Sequence, residues 1–419
     1  MMDAVTAFLH RIGQALGRGF RLIFVAIAWP FMAAHGWYRQ RHLMVKLPVA
    51  LFAGLVVLLY GYFIWQTQVW SGFDPNFVDR YRLAERSVAA GQPLPQAPVA
   101  PAPPSPGDPS AATPPPGSPA AADSGATSPA SAPAPAPAPS SQTTVAVVRQ
   151  CQPSAIVEAV GDLTDQNVNQ NAWISSMLLY RLGFFGIDWD DTPFLDNKAA
   201  FQRGVNQAVR RTAVELVDTL GRVRGTSGIN GDLQDARGNL QFDEYSWYFG
   251  LDPFGFKTPT PSYYRAAITS LRKFNLDLSG CNALFDTRAD NLVQFIDRIA
   301  NDLGSTSAIL RERSENYNAG WFDNRADDRF WFAYGQLYGY YAVFASAGAD
   351  FSQVIRERNL TSLWVETLSQ FQAALRIQPA IISNGSESGW IMPTHLATMG
   401  FYILRVRSNL VEVRGVLDR

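Results

Sequence analysis

Histidine is almost missing from these 419 residues: His10, His35 and His42 stand near the start and His395 alone follows them. A histidine-based metal site or a Ser-His-Asp triad therefore has one histidine to draw on beyond the first 42 residues. A single histidine near a helix start reads as structural. Cysteine is as scarce. Cys151 and Cys281 are the only two, so one pairing exists, and the choice between a disulfide and two buried thiols depends on the compartment. Net charge is −1, which gives no basic field to attract nucleic acid. Alternating β patterns are also few, and no cofactor motif is present, so neither a cofactor nor a metal set is expected.

Charge is absent where hydrophobicity is longest. Leu47 to Trp65 runs nineteen residues without an ionisable acid or base, long enough for a hydrocarbon core of about 30 Å. Tyr60, Tyr62, Trp65 and Trp70 crowd its far end, as in an interfacial aromatic belt. Before it stand Arg11, Arg18, Arg21, Arg39, Arg41 and Lys46 against Asp3. After it, Arg80, Arg82 and Arg86 are offset by Asp74, Asp79 and Glu85. The positive-inside rule then leaves the N-terminus cytoplasmic and the rest outside a bacterial inner membrane, in the periplasm. The late start of the apolar run argues against a cleaved signal peptide. Val5, Phe8, Leu9, Ile12, Leu16, Phe20, Ile23, Phe24 and Ile27 form a helical stripe suited to lying in the membrane interface. The rival is insertion of Leu22 to Tyr38 as a second span, which Pro30 and the flanking charges disfavour.

Between Pro93 and Pro139 there are seventeen prolines in 47 residues, mixed with Ala, Ser and Gly. Such a tract reads as extended and solvated, a spacer reaching roughly 140 Å at about 3.1 Å per residue. The expected organisation is a cytoplasmic basic segment over 1–46 and a transmembrane helix over 47–69. A linker follows over 70–144, disordered at about 91–141, and then an all-α, bundle-like external domain over 145–419.

Helical spacing dominates that domain. Phe201, Val205, Ala208, Thr212, Leu216 and Leu220 share one face, and Leu396, Met399, Ile403, Val406, Leu410, Val413 and Leu417 make a heptad seam. A helix packed on its own domain is the simpler account of this seam, and a dimerising coiled coil the alternative. Leu195-Asp-Asn-Lys-Ala199, Phe285-Asp-Thr-Arg-Ala289 and Phe322-Asp-Asn-Arg-Ala326 echo one another. Their aspartates, Asp196, Asp286 and Asp323, are candidate N-caps. Gly221 and Gly304 are candidate helix stops.

Asn171-Ala-Trp, Leu182-Gly-Phe-Phe-Gly186, Thr192-Pro-Phe-Leu-Asp-Asn-Lys-Ala-Ala-Phe-Gln-Arg-Gly204 and Leu220-Gly-Arg-Val-Arg-Gly-Thr-Ser227 resemble a bacterial inner-membrane family known as domain of unknown function 2333. The resemblance spans roughly Cys151 to Arg419 and implies an envelope location. It supplies no activity, substrate or catalytic residue.

Candidate chemistry is thin. Asp188, Asp190, Asp191 and Asp196 could offer oxygens to calcium, but the EF-hand order is missing and a polar loop with caps explains them. Arg222 and Arg224, in Gly221-Arg-Val-Arg-Gly-Thr-Ser-Gly228, could hold an anion, although the stretch lacks the Walker ending. Trp247 and Tyr248 lead an aromatic stretch able to stack on sugars if exposed. Trp331, Tyr334, Tyr338 and Tyr341 form another, with Gly335 and Gly339 favouring close helix packing. Glu387, in Glu-Ser-Gly-Trp, weakly resembles the acid of lytic transglycosylases, which needs a partly desolvated site. The favoured expectation is an anchored scaffold or accessory module with an envelope partner. A peptidoglycan-binding module comes second, and a lytic enzyme using Glu387 third. The oligomeric state is left open.

Overall fold

A computed structural model describes residues 25, 28–86, 88–95, 149–192, 194–222, 228–251 and 254–419. The whole interfacial stripe, nearly all of the proline tract and Arg224 lie outside the described residues. Residues 28–39 form a helix, α1, with Trp29, Phe31, Met32 and Trp37 exposed. Among the described residues one helix, α2 (Leu43–Gln68), is long and apolar enough to cross a membrane.

Around α9 (Ala326–Asp350) the rest is organised. Every residue from 333 to 344 is buried, as befits a helix that is apolar all round. Across it runs α5 (Asn197–Glu215), prolonged by a π-turn over Leu216–Leu220. The two approach backbone to backbone: a Cβ on Gly335 would stand 2.1 Å from the Phe201 carbonyl oxygen, and one on Gly204 2.0 Å from that of Phe332. The expected α5 face is buried along its whole length. α3 (Ala155–Asp165), α7 (Thr260–Ser279), α8 (Ala289–Asn316), α11 (Thr361–Leu375) and α12 (His395–Leu417) complete the body, with short helices α4 (Leu178–Leu182), α6 (Gly231–Leu240) and α10 (Ser352–Glu357) between them. All seven seam residues of α12 are buried, and the helix lies along α8 and α11 of its own chain.

At the far end of α9, fully buried Asp350 accepts from the Ser154 hydroxyl (2.6 Å) and from the backbone N–H groups of Ala155 (2.7 Å) and Ile156 (3.0 Å). It thereby satisfies the orphan donors of the α3 N-terminus. Burial still pushes its carboxyl up to about 6. Nearby, Cys151 and Cys281 are disulfide-bonded.

Residues 70–86 and 88–95, which the sequence reading assigns to the linker, pack on the folded body: Phe73 and Phe77 stack on Tyr338, whose hydroxyl donates to the Asp74 carbonyl. Chain entering and leaving the proline tract is then paired at one place: Gly91 and Leu94 N–H donate to the Gln152 and Gln150 carbonyls, and Gln152 N–H to that of Gln92. The described residues on either side of the tract are thus held together, and the tract does not separate α2 from the body. The sequence could not reveal this, since proline content sets stiffness and says nothing of where the ends meet.

Three local expectations also change. Gly304 does not stop a helix; α8 runs through it to Asn316, and the missing Cβ makes room for Arg407 of α12. Asp286 and Asp323 stand two residues before the N-caps Arg288 and Arg325, and each accepts from the backbone N–H of that arginine. Asp323 also takes the Arg313 guanidinium and the Asn384 amide. Finally, Phe249–Leu251 (β1) and Phe254–Phe256 (β2) pair antiparallel. Phe-Gly alternation on both sides of Asp252-Pro253 was the signal for this hairpin, although the body as a whole is all-α.

Candidate functional site

The last turns of α2 do not project freely from the body. Phe63 is fully buried, with its ring 4.7 Å from that of Trp189. Together with Ile174, Tyr180, Trp189 and Ala199 it forms a second apolar cluster, distinct from the main core. Lys198, in the first turn of α5, donates through Nζ to the carbonyls of Gln66 (2.9 Å) and Val69 (2.6 Å). These belong to the unpaired C-terminal end of α2, where a cation is favoured by the helix dipole. Burial pulls the ammonium down to about 8. Gln68 Nε2 donates to the Phe194 carbonyl, and Ser71 N–H to Asn171 Oδ1. Helix and body are one packed unit.

Beside this junction three carboxylates converge. Asp190 follows Trp189 in a single 3₁₀ turn, Asp196 precedes α5, and Asp328 lies in the first turn of α9. An oxygen from each lies within 4.8 Å of the others. Tyr180 donates to Asp190 Oδ1 at 2.6 Å, and Arg203 approaches Asp190 and Asp328 at 3.6 and 3.7 Å. Asp196 has no solvent exposure and caps nothing. Three ionised acids and one guanidinium would leave an excess of two negative charges around fully buried Asp196, which is costly. Burial, followed by the neighbouring charges of Asp328 and Asp327, raises the Asp196 carboxyl far above the usual range. Asp328 is raised by burial and then by Asp190. Burial also pushes Asp327, which accepts from Phe194 N–H, up to about 6. A proton retained between Asp196 and Asp328 would relieve this repulsion, as in other close carboxylate pairs. The chemical capacity of the group is to hold that proton at neutral pH, or to offer three hard oxygens to a divalent cation.

Of the four aspartates noted in the sequence, Asp190 and Asp196 are brought together. Asp191 instead pairs with Arg325 at 3.3 Å, and Asp188 is exposed. Asp327, Asp328, Arg203 and Lys198 were not singled out as members of a site. The one visible signal was the Asp-Asp doublet opening α9, which sequence distance separates from Asp196.

The remaining candidates are scattered. Arg222 donates through Nε to the Asp218 carbonyl of its own helix (3.1 Å), and Arg224 lies outside the described residues. Trp247 is half-buried and Tyr248 exposed, leading into a hairpin whose Phe249, Phe254 and Phe256 share one exposed face. Tyr334, Tyr338 and Tyr341 are core. Glu387 sits exposed on a surface turn, the opposite of the desolvated placement a lytic acid needs. His395 accepts from Ser383 N–H through Nδ1, a structural role.

The fold and junction define an all-α protein built onto one long apolar helix. Residues 135–320 match the family described as an uncharacterized protein conserved in bacteria (DUF2333), in agreement with the resemblance read from the motifs. Helices α9 to α12 lie beyond the matched span. No curated protein and no solved structure matches the chain.

Proposed function

We propose that this is a single-pass inner-membrane protein with its N-terminus in the cytoplasm and its helical body in the periplasm, where it serves as a scaffold or accessory module for another envelope component. The observation that carries the reading is the fusion of α2 to the body through Phe63, Trp189 and Lys198, which turns an anchor into a rigid mount. The excess of basic residues before α2 and the Cys151–Cys281 disulfide support the orientation, since disulfides persist in oxidising compartments. Reporter fusions at the C-terminus test it: an exported phosphatase should be active there and a cytosol-dependent fluorophore dark. The reverse pattern would refute the compartment. Crosslinking of the full chain in cells should then enrich the same envelope proteins reproducibly, and their absence would defeat the scaffold role.

A second reading, a peptidoglycan-binding module, is favoured by the exposed face of Phe249, Phe254 and Phe256 beside Tyr248, because exposed rings stack on sugars. Co-sedimentation with sacculi that is lost on Phe254→Ser with Phe256→Ser would support it. Unchanged sedimentation would remove the hairpin from consideration.

A further inference from the structure

Immediately beside α2 the chain makes a tight turn with apolar residues on its outside. α4 ends at Leu182, and Phe184 and Ile187 then exchange backbone hydrogen bonds, N–H of Phe184 to O of Ile187 at 2.7 Å and the reverse at 3.1 Å. The intervening Phe185 and Gly186 take positive φ, 53° and 93°. Gly183 also needs its positive φ of 72°, since a Cβ there would lie 2.4 Å from the Ile187 oxygen. What this bend displays is unusual: Phe185 is 73% exposed, Leu182 58% and Ile187 54%. Leu182 to Ile187 carry no charge; Arg181 before them reaches the Tyr245 carbonyl at 3.4 Å, and exposed Asp188 follows them.

The turn is fixed to α2 well before the helix ends. Phe185 stacks on Tyr60 with centroids 4.8 Å apart, and the Tyr60 hydroxyl donates to the Gly183 carbonyl at 3.1 Å. Tyr60 precedes Gln68, the last residue of α2, by about 12 Å of helix. A hydrocarbon layer of about 30 Å that begins after Lys46 ends near residue 66, so the level of Tyr60 falls roughly 9 Å inside it. Backbone placed at such a depth must satisfy its own polar groups; the reciprocal pair does so for Phe184 and Ile187, and the Gly183 carbonyl takes the Tyr60 hydroxyl.

We infer that the Leu182–Ile187 turn is a second membrane contact, a monotopic wedge that enters the leaflet at the C-terminal end of α2. The occupant of this apolar surface is lipid acyl chain, because the surface is continuous with the flank of α2. The inference rests on the reading that α2 spans a bilayer. With two lipid contacts from different parts of the chain, the body is fixed in tilt as well as in position.

The test uses the full chain in phosphatidylcholine–phosphatidylglycerol vesicles, carrying one environment-sensitive nitrobenzoxadiazole label at a time; the two native cysteines are bonded and do not compete. Labels go at Leu55→Cys in α2, at Phe185→Cys and, as an independent second position, Ile187→Cys in the turn. A further label goes at Leu276→Cys, which is exposed near the Asp350 end of α9, the end opposite Asp328. Positions 55, 185 and 187 are expected to emit blue-shifted light that doxyl-labelled lipid quenches and aqueous iodide does not. Position 276 should show the converse. Quenching by lipid at 55 with iodide access at both 185 and 187 overturns the wedge while leaving the anchor standing. No lipid quenching at 55 overturns the spanning reading itself, and the wedge with it. Protection of 185 and 187 from iodide without lipid quenching means that a second copy covers the surface, which also overturns the proposal.

Discussion

The α5–α9 crossing and the junction at the end of α2 are both buried, yet they are built from opposite materials. At the crossing, glycine removes side chains until backbones touch, and rings such as Phe201, Tyr334 and Tyr338 fill the flanks. At the junction, Lys198, Arg203, Asp196 and Asp328 are held among Phe63, Trp189 and Tyr180. Apolar contact without polar groups gives stability that is indifferent to pH. A junction of buried charges depends on proton occupancy and on the adjoining helix end, so it can respond to conditions that leave the core untouched.

The largest expected effect breaks the crossing. Gly335→Ala places a methyl group against the Phe201 carbonyl, which cannot yield without moving α5. Overpacking of this kind costs about 3 kcal/mol or more, and thermal unfolding of the detergent-solubilised chain should show it as a global loss. Lys198→Met keeps the stem but leaves the Gln66 and Val69 carbonyls without their donor. The expected penalty is about 2 kcal/mol and local. Hydrogen exchange should accelerate around residues 63–69 while the α9 amides stay protected; uniform acceleration would mean that junction and core unfold together.

Asp196→Asn sharpens the contrast through pH. Burial raises the folded-state carboxyls of Asp196 and Asp328 above their unfolded value of 3.8. A folded chain that binds more protons than the unfolded one loses stability as pH rises. The contribution is therefore full below about pH 4 and declines as pH climbs through the range of Asp327 and Asp350, pushed up to about 6, and onward to the pair. The amide replaces a proton donor without the burden of ionisation, so it should raise stability by about 1–2 kcal/mol at pH 8 and little at pH 5. A lower Tm at pH 8, with a parent protein whose Tm falls on chelation, would instead mean that the three oxygens hold a cation. The smallest effect is expected from replacing 96–148 by a Gly-Ser bridge of about 20 residues, a little more than one halving of the loop. The base is already closed by Leu94 and Gln150, so the change should stay under about 1 kcal/mol.

Periodicity made the helices readable. The α5 stripe and the α12 seam are buried residue for residue, because a face that must meet a core is written at intervals of three and four. Gly335 and Gly339 were legible for the same reason. The acidic centre was not: Asp196 carries the same local pattern as Asp286 and Asp323, and only the arrival of α9 turns it from a candidate cap into half of a carboxylate pair. Lys198 likewise looked like an ordinary first-turn residue until α2 supplied the carbonyls. The hairpin at Phe249–Phe256 was short enough to be overlooked among helices, though Asp252-Pro253 between Phe-Gly pairs marked it.

α9 has a further consequence. Asp328, at its beginning, lies beside the end of α2, whereas Asp350, some 33 Å along the axis, adjoins the Cys151–Cys281 bridge and the paired base of the proline tract. The helix is a mast. Its far end carries residues 90–94 and 150–152, so a load applied to either of these segments is shared through their backbone pairing and, by the Cys151–Cys281 bond, reaches the end of α7 as well as the start of α3.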